Sequence, residues 1–175
     1  MRKNIGVYKL SATSFIFAAA VFVWPVSASA IDTCMGELVT VDLNLDQQPT
    51  DGDDVILGTE GPDEIDALGG DDIICGGFGD DIIRGRQGDD VILGDMGADT
   101  LLGGQGDDII YGGEGDDFIQ GATGNDQLFG EGGQDDMRGG NGDDVMDGGA
   151  DNDALISGGA GDCLLYTSPS PRDRG

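Results

Sequence analysis

Histidine is absent from this chain of 175 residues, and cysteine occurs only three times. A Ser-His-Asp arrangement therefore cannot be assembled, and zinc and other soft metals lack their usual nitrogen and sulfur ligands. Positive charge is scarce as well: eight lysines and arginines stand against 35 acids, a formal net charge of -27. No nucleic-acid partner is expected, because one polyanion repels another. Aromatic residues make up 6% of the chain, which is thin for an ordinary globular core. With 34 glycines added, the composition is that of a disordered acidic chain, unless something besides apolar burial offsets the entropy of ordering it. Cations are the natural partners of so many carboxylates, and all-oxygen donor sets favour hard ones such as calcium. The alternating acids and distal glutamate of an EF-hand loop do not occur.

The first thirty residues are of another kind. Arg2, Lys3 and Lys9 make a positive start, Leu10 to Val23 is an apolar run, and Ala28-Ser29-Ala30 is a small-x-small cleavage pattern. Residues 1–30 are predicted to be a secretory signal peptide, cut before Ile31. The apolar run is short for a bilayer, so no stable membrane span is expected after cleavage. The mature chain is expected to be secreted, in a compartment where disulfides persist.

Written from Pro49 in rows of nine, the chain falls into register. The sixth place is aspartate in every row: Asp54, Asp63, Asp72, Asp81, Asp90, Asp99, Asp108, Asp117, Asp126, Asp135, Asp144, Asp153 and Asp162. The eighth place is always apolar, from Ile56 and Ile65 to Leu155 and Leu164. The fourth place is glycine from Gly52 to Gly142, and the first is mostly glycine, as at Gly76, Gly103 and Gly139. On this reading thirteen rows follow one another without insertion, although Asp151 and Ala160 stand where the last two rows should have glycine.

Six glycine-rich residues suit a turn and the remaining three, such as Ile82-Ile83-Arg84, a short strand. Alternate side chains of a strand face opposite ways, so the eighth place points inward and seventh-place Val55, Ile73, Ile82 and Val91 point out. Two rows make one coil, and coils stack about 4.8 Å apart. No coil buries enough to stand alone, so stability comes from stacking. Fixing one place as aspartate while its fifth-place neighbour varies (Asp80, but also Pro62, Ala98, Asn125 and Gln134) marks the sixth place as functional and the fifth as solvated surface charge.

Rows such as GGQGDDIIY (Gly103 to Tyr111) and GGEGDDFIQ (Gly112 to Gln120) resemble the repeat-in-toxin (RTX) nonapeptide G-G-x-G-x-D-x-U-x, with U a large apolar residue. The resemblance covers residues 49 to 162 and implies an all-β fold, a parallel β-roll with two repeats per coil. It implies several calcium ions held between turns stacked on one edge, by turn carbonyls and sixth-place aspartates. Asp81 would then pair with Asp99 and Asp90 with Asp108, up to eleven pairs in all. All the acids but Asp173 lie in residues 31–162, so stacking them without cations is costly. Calcium is therefore expected to drive folding. Family members usually leave by a type I route with a C-terminal signal. The N-terminal signal here departs from that pattern and weakens a toxin reading.

The expected domains are completed by the two ends. In residues 31–48, the stretch ELVTVDLNL (Glu37 to Leu45) alternates Val39, Val41, Leu43 and Leu45 with polar residues and reads as one capping strand. Cys34 and Cys75 are candidates for a disulfide pinning that cap to the third row. Residues 163–175 break sharply in composition, and Cys163 to Asp173 resembles the translation of a sequencing adapter, a non-native tail. The chain then reads either as a free-standing exported calcium-binding roll or as a fragment of a larger secreted hydrolase, toxin or adhesin that uses the roll as a stalk. Catalysis within the segment is not expected. Carboxylate pairs can hydrolyse glycosides, but these recur on a lattice with no distinctive pocket.

Overall fold

The computed structural model describes residues 33–43, 47–150, 153 and 155–166. The signal-peptide segment, Leu45 and residues 167–175 lie outside them. Among the described residues every regular element is a strand. A hairpin of β1 (Thr33–Cys34) and β2 (Glu37–Leu38) leads to β3 (Val41–Asp42). One sheet then takes β4 (Val55–Leu57), β6 (Ile73–Phe78), β8 (Val91–Met96), β10 (Ile109–Glu114), β12 (Gln127–Gly132), β14 (Asp144–Asp147) and β16 (Cys163–Tyr166). The facing sheet takes β5 (Glu64–Asp66), β7 (Ile82–Gln87), β9 (Thr100–Gln105), β11 (Phe118–Thr123), β13 (Asp136–Asn141) and β15 (Leu155–Ala160). The strand orders are β16-β14-β12-β10-β8-β6-β4-β3 and β15-β13-β11-β9-β7-β5.

All pairing within these two sheets is parallel, and each residue meets the one two rows away, as Ile92 meets Ile110 and Ile110 meets Leu128. This is a parallel β-roll with two rows per coil. Its core is one residue wide. Eighth-place side chains from Ile56 to Met146 are each at most 1% exposed and pack as a single column between the sheets.

Two details differ from the sequence reading. First, β6 to β13 are six residues long instead of three, running from the seventh place of one row to the third of the next. The first-place glycine is buried mid-strand, where it lets the chain bend around the core without losing its ladder bonds. The turn proper shrinks to the fourth, fifth and sixth places. There Gly79, Gly97 and Gly115 have φ of 120°, 144° and 137°, angles that disfavour any residue with a Cβ.

Second, the uninterrupted register fails near the C-terminal end. Met137 pairs with Ile156 and Met146 with Leu165, a step of nineteen residues in place of eighteen. The step is still eighteen at Asp135 and Asp153 and is nineteen from Asp136 and Leu155 on, which shifts the final row to Gly158–Tyr166. The shift has a local cause: it puts Gly161, at φ 141°, over Gly142, at φ 135°, where the unshifted register would have forced Ala160 into the turn. Strand β16 thus reaches into the segment that composition set apart as a tail.

The cap also departs from a single strand. Thr40 interrupts it: its N–H donates to the Val55 carbonyl and its hydroxyl accepts from the Val55 N–H at 2.7 Å. In later coils a sixth-place carbonyl accepts that seventh-place N–H, as Asp54 does from Ile73. Thr40 therefore stands in for a missing coil, and Val41 takes the eighth-place position opposite Ile56. Before it, Met35 (φ 52°) and Gly36 (φ 89°) turn the β1–β2 hairpin, and Cys34 is joined to Cys75. Closing a loop across 41 positions removes unfolded-state entropy equivalent to about 3–4 kcal/mol.

Candidate metal centres

Each turn ends on its sixth-place aspartate, and the strands that follow fix its position. The seventh-place N–H is committed to the coil before, as Ile109 N–H is to the Asp90 carbonyl at 2.8 Å. The aspartate side chain is thereby folded under the turn. One carboxylate oxygen, Oδ1, accepts the main-chain N–H of the sixth-place aspartate in the preceding coil. Asp81 N–H donates to Asp99 Oδ1 at 2.8 Å, and Asp90 N–H to Asp108 Oδ1 at 3.0 Å. The series runs along both edges of the roll, from Asp54 with Asp72 and Asp63 with Asp81 to Asp126 with Asp144 and Asp135 with Asp153. The structure therefore brings together the pairs anticipated from the repeat, except the last.

Asp162 is displaced from that series by the register shift. Its N–H donates to fifth-place Asp143, its side chain is exposed, and Cys163 occupies the sixth place opposite Asp144. Rows one and two differ for another reason. Thr50 donates to Asp54 Oδ2 through its N–H at 2.8 Å and its hydroxyl at 2.9 Å, and Thr59 engages Asp63 Oδ2 in the same way. Second-place threonine thus satisfies these two carboxylates within the chain. The Thr-x-x-x-Asp spacing at 50–54 and 59–63 is a sign of this that the sequence carries, distinct from the glycine and aspartate period.

From Asp72 to Asp144 the situation is different. In Asp72, Asp81, Asp90, Asp99, Asp108, Asp117, Asp126, Asp135 and Asp144, Oδ2 is buried and has no hydrogen-bond partner. An unpartnered buried carboxylate oxygen is costly, and its energetics show in the acidity. Burial, augmented by the carboxylates of neighbouring coils and opposed by the accepted N–H, pushes Asp72, Asp108 and Asp117 up to about 7. The same causes push Asp81, Asp90, Asp126 and Asp135 up to about 6, and raise Asp99 and Asp144.

From Asp81 to Asp144 the space beside the orphaned oxygen explains the first-place glycine; Asp72, whose row begins with Ala67, is the exception. A Cβ on Gly76 would stand 2.5 Å from Asp81 Oδ2 and 2.9 Å from the Gly94 carbonyl oxygen of the next coil. Gly112 is likewise flanked by Asp117 Oδ2 and the Gly130 carbonyl. A carboxylate oxygen and a main-chain carbonyl thus face one small volume that any side chain would fill. Among the described residues no three Asp, Glu, Cys or His side chains converge. A cation held here must draw on main-chain oxygens as well as carboxylates, which suits a hard ion and excludes a soft one. The donor set fits calcium.

The fifth place carries more than surface charge. Asp89 N–H donates to Asp71 Oδ1 at 2.9 Å, and Asp107 N–H to Asp89 Oδ1 at 2.8 Å. On the other edge Ala98 N–H donates to Asp80 Oδ1 at 3.0 Å. These side chains are exposed, yet each caps the turn of the coil that follows.

Fold and turns together define a roll of repeated cation-binding turns. The chain belongs to the family of RTX calcium-binding nonapeptide repeats, which matches in overlapping copies from residues 49–83 through 129–162, about two-thirds of the chain. No curated protein and no solved structure matches it. The family's repeat is a structural calcium-binding unit and not a catalytic one.

Proposed function

We propose that this chain is an exported protein in which calcium, bound between stacked turns, drives the folding of the roll. The supporting observation is the rank of buried Oδ2 atoms without partners from Asp72 to Asp144. Each is a carboxylate oxygen withdrawn from water, and beside Asp81, Asp90, Asp99, Asp117 and Asp135 a main-chain carbonyl of the next coil flanks the same small volume, so a divalent cation there would compensate both. The ligands would be these sixth-place aspartates with the carbonyls of first-place glycines such as Gly94 and Gly130. Binding free energy then becomes folding free energy, because the donors come together only when coils stack. Asp54 and Asp63 contribute less, since Thr50 and Thr59 already occupy them, and Asp162 contributes nothing from its displaced place.

Export follows from the signal peptide read in residues 1–30, and it would carry a chain that is unfolded without calcium into surroundings that supply the ion. The test is a far-UV circular dichroism titration of the mature chain with calcium, with magnesium as control. A cooperative coil-to-strand transition is expected with calcium alone, at about 0.1–1 mM as for other extracellular calcium modules. Full strand signal in excess chelator at neutral pH would refute calcium-driven folding.

A further inference from the structure

The two sheets are made of one repeat, yet their outer faces differ. On the sheet of β5, β7, β9, β11 and β13, the ninth place is Asp66, Arg84, Leu102, Gln120 and Arg138. On the other sheet it is Leu57, Cys75, Leu93, Tyr111 and Phe129, before Asp147 ends the run. Tyr111 and Phe129 stack at 4.9 Å between ring centroids, which stiffens the middle of this stripe. Beside it, third-place Phe78 and Met96 are 56% and 52% exposed. Leu93 and Tyr111 of this stripe, with Phe78 and Met96, line a groove of about 1070 Å³. Its apolar wall is Met35, Phe78, Leu93, Met96 and Tyr111, and Asp95, Glu114 and Glu131 supply its charge.

No lysine or arginine lines the groove. The three arginines among the described residues all lie on the opposite sheet, each paired with an acid: Arg84 with Glu64, Arg86 with Asp66 and Arg138 with Asp136. The groove therefore joins an exposed apolar floor to uncompensated negative charge. The strands beneath it, β6, β8, β10 and β12, are each paired on both sides, so an added strand has no edge to join along the floor. The groove crosses from β6 to Ala150, four strand spacings or about 19 Å. A helix of about 13 residues has that length.

We propose that this face is a docking groove for a cationic amphipathic helix of a partner protein, with apolar side chains seated on Leu93, Met96 and Tyr111 and basic ones meeting Asp95, Glu114 and Glu131. Flexible methionines in a hydrophobic groove adapt to varied apolar side chains, and the opposed charges set orientation and approach. The N-terminal hairpin already covers the start of the same stripe at Cys75, so the groove continues a surface that the chain itself uses for packing. The proposal rests on the calcium reading only in that the groove requires a folded roll.

The experiment titrates the mature chain, in calcium and in chelator, against a labelled 14-residue peptide with leucines on one helical face and lysines on the other. Anisotropy reports binding, and circular dichroism on the same samples reports the roll. Saturable binding in calcium is expected, with at least a tenfold loss in Phe78→Lys/Met96→Lys and a several-fold loss in Glu114→Gln. Leu102→Lys on the opposite sheet should change nothing. If the double variant fails to fold, Glu114→Gln against Leu102→Lys decides. Equal binding of a scrambled peptide of the same composition would reduce the effect to general polyanion attraction and overturn the proposal. So would an equal loss in Leu102→Lys. Self-association of the chain that Phe78→Lys/Met96→Lys abolishes would make the occupant a second copy, and also overturns it. A roll that forms in calcium but leaves the peptide unbound overturns the docking proposal alone; loss of the strand signal in calcium overturns both readings.

Discussion

Two ranks of acidic side chains run the length of this roll, one residue apart in every turn, and they do opposite things. The inner rank, Asp72 to Asp144, is at most 3% exposed; its Oδ1 atoms take an N–H from the coil before, and its Oδ2 atoms have no partner. In the outer rank, Asp71, Asp89 and Asp107 are exposed and take an N–H from the coil after. Water and salt screen the outer charges, so their repulsion is small. Nothing screens the inner ones. The outer rank accordingly accommodates Pro62, Ala98, Asn125 and Gln134, whereas the inner rank from Asp54 to Asp153 is aspartate throughout. The outer rank caps turns, and the inner rank leaves a row of buried oxygens without a protein partner.

The broadest consequence concerns pH. Inner carboxylates raised to about 6 or 7 in the folded chain hold their protons far more tightly than they do unfolded, near 3.8. A raised carboxylate contributes stability that is complete below about pH 4 and is lost as pH rises through 6 to 7. In chelator, then, acidification from pH 7.5 to 5 should restore much of the strand signal that calcium gives at neutral pH, because protons neutralise the same rank. Circular dichroism against pH in excess chelator checks this. A flat or falling strand signal over that window would mean that the inner carboxylates are not what opposes folding without calcium.

Much of this was legible in advance because the repeat is so regular. The period of nine, the eighth-place core and the eighteen-residue pairing all follow from where glycine, aspartate and isoleucine recur. The missed features are those that depend on a third dimension. Strand length was underestimated at the first-place glycine, which reads as a turn residue but is buried against a carboxylate such as Asp81. The nineteen-residue step before Leu155 was hidden because Leu155 and Leu164 are apolar like their neighbours Ile156 and Leu165, so the hydrophobic pattern fits either register. The glycine at 161 was the better guide, since only backbone angle distinguishes the two. The outer rank's capping bonds could not be read from a place whose occupants vary.

A single substitution sharpens the contrast within the inner rank. Asp108→Asn keeps the oxygen that accepts the Asp90 N–H and removes a buried charge. In chelator it should stabilise whatever roll remains, because repulsion from Asp90 and Asp126 is relieved. In saturating calcium it should destabilise by about 2–3 kcal/mol, the scale of losing one charged partner in a buried interaction. Thermal melts under the two conditions should shift in opposite directions. The same sign in both would deny that this carboxylate serves calcium.

The smallest expected effect is also the strictest control. Asp107→Asn changes the adjacent residue in the same turn by the same atoms. Its Oδ1 would still accept the Asn125 N–H, now held at 2.7 Å. Asn125 already fills this role one coil later, accepting the Asp143 N–H through its own Oδ1 at 3.0 Å. Stability should therefore move by no more than about 0.5 kcal/mol, in calcium or in chelator, as for other exposed substitutions. What shift there is should shrink with added salt, since only a screened surface charge is lost. A calcium-specific loss comparable to that of Asp108→Asn would make the outer carboxylate a ligand in its own right, and the division between the two ranks would then fail at the turn where it is drawn most sharply.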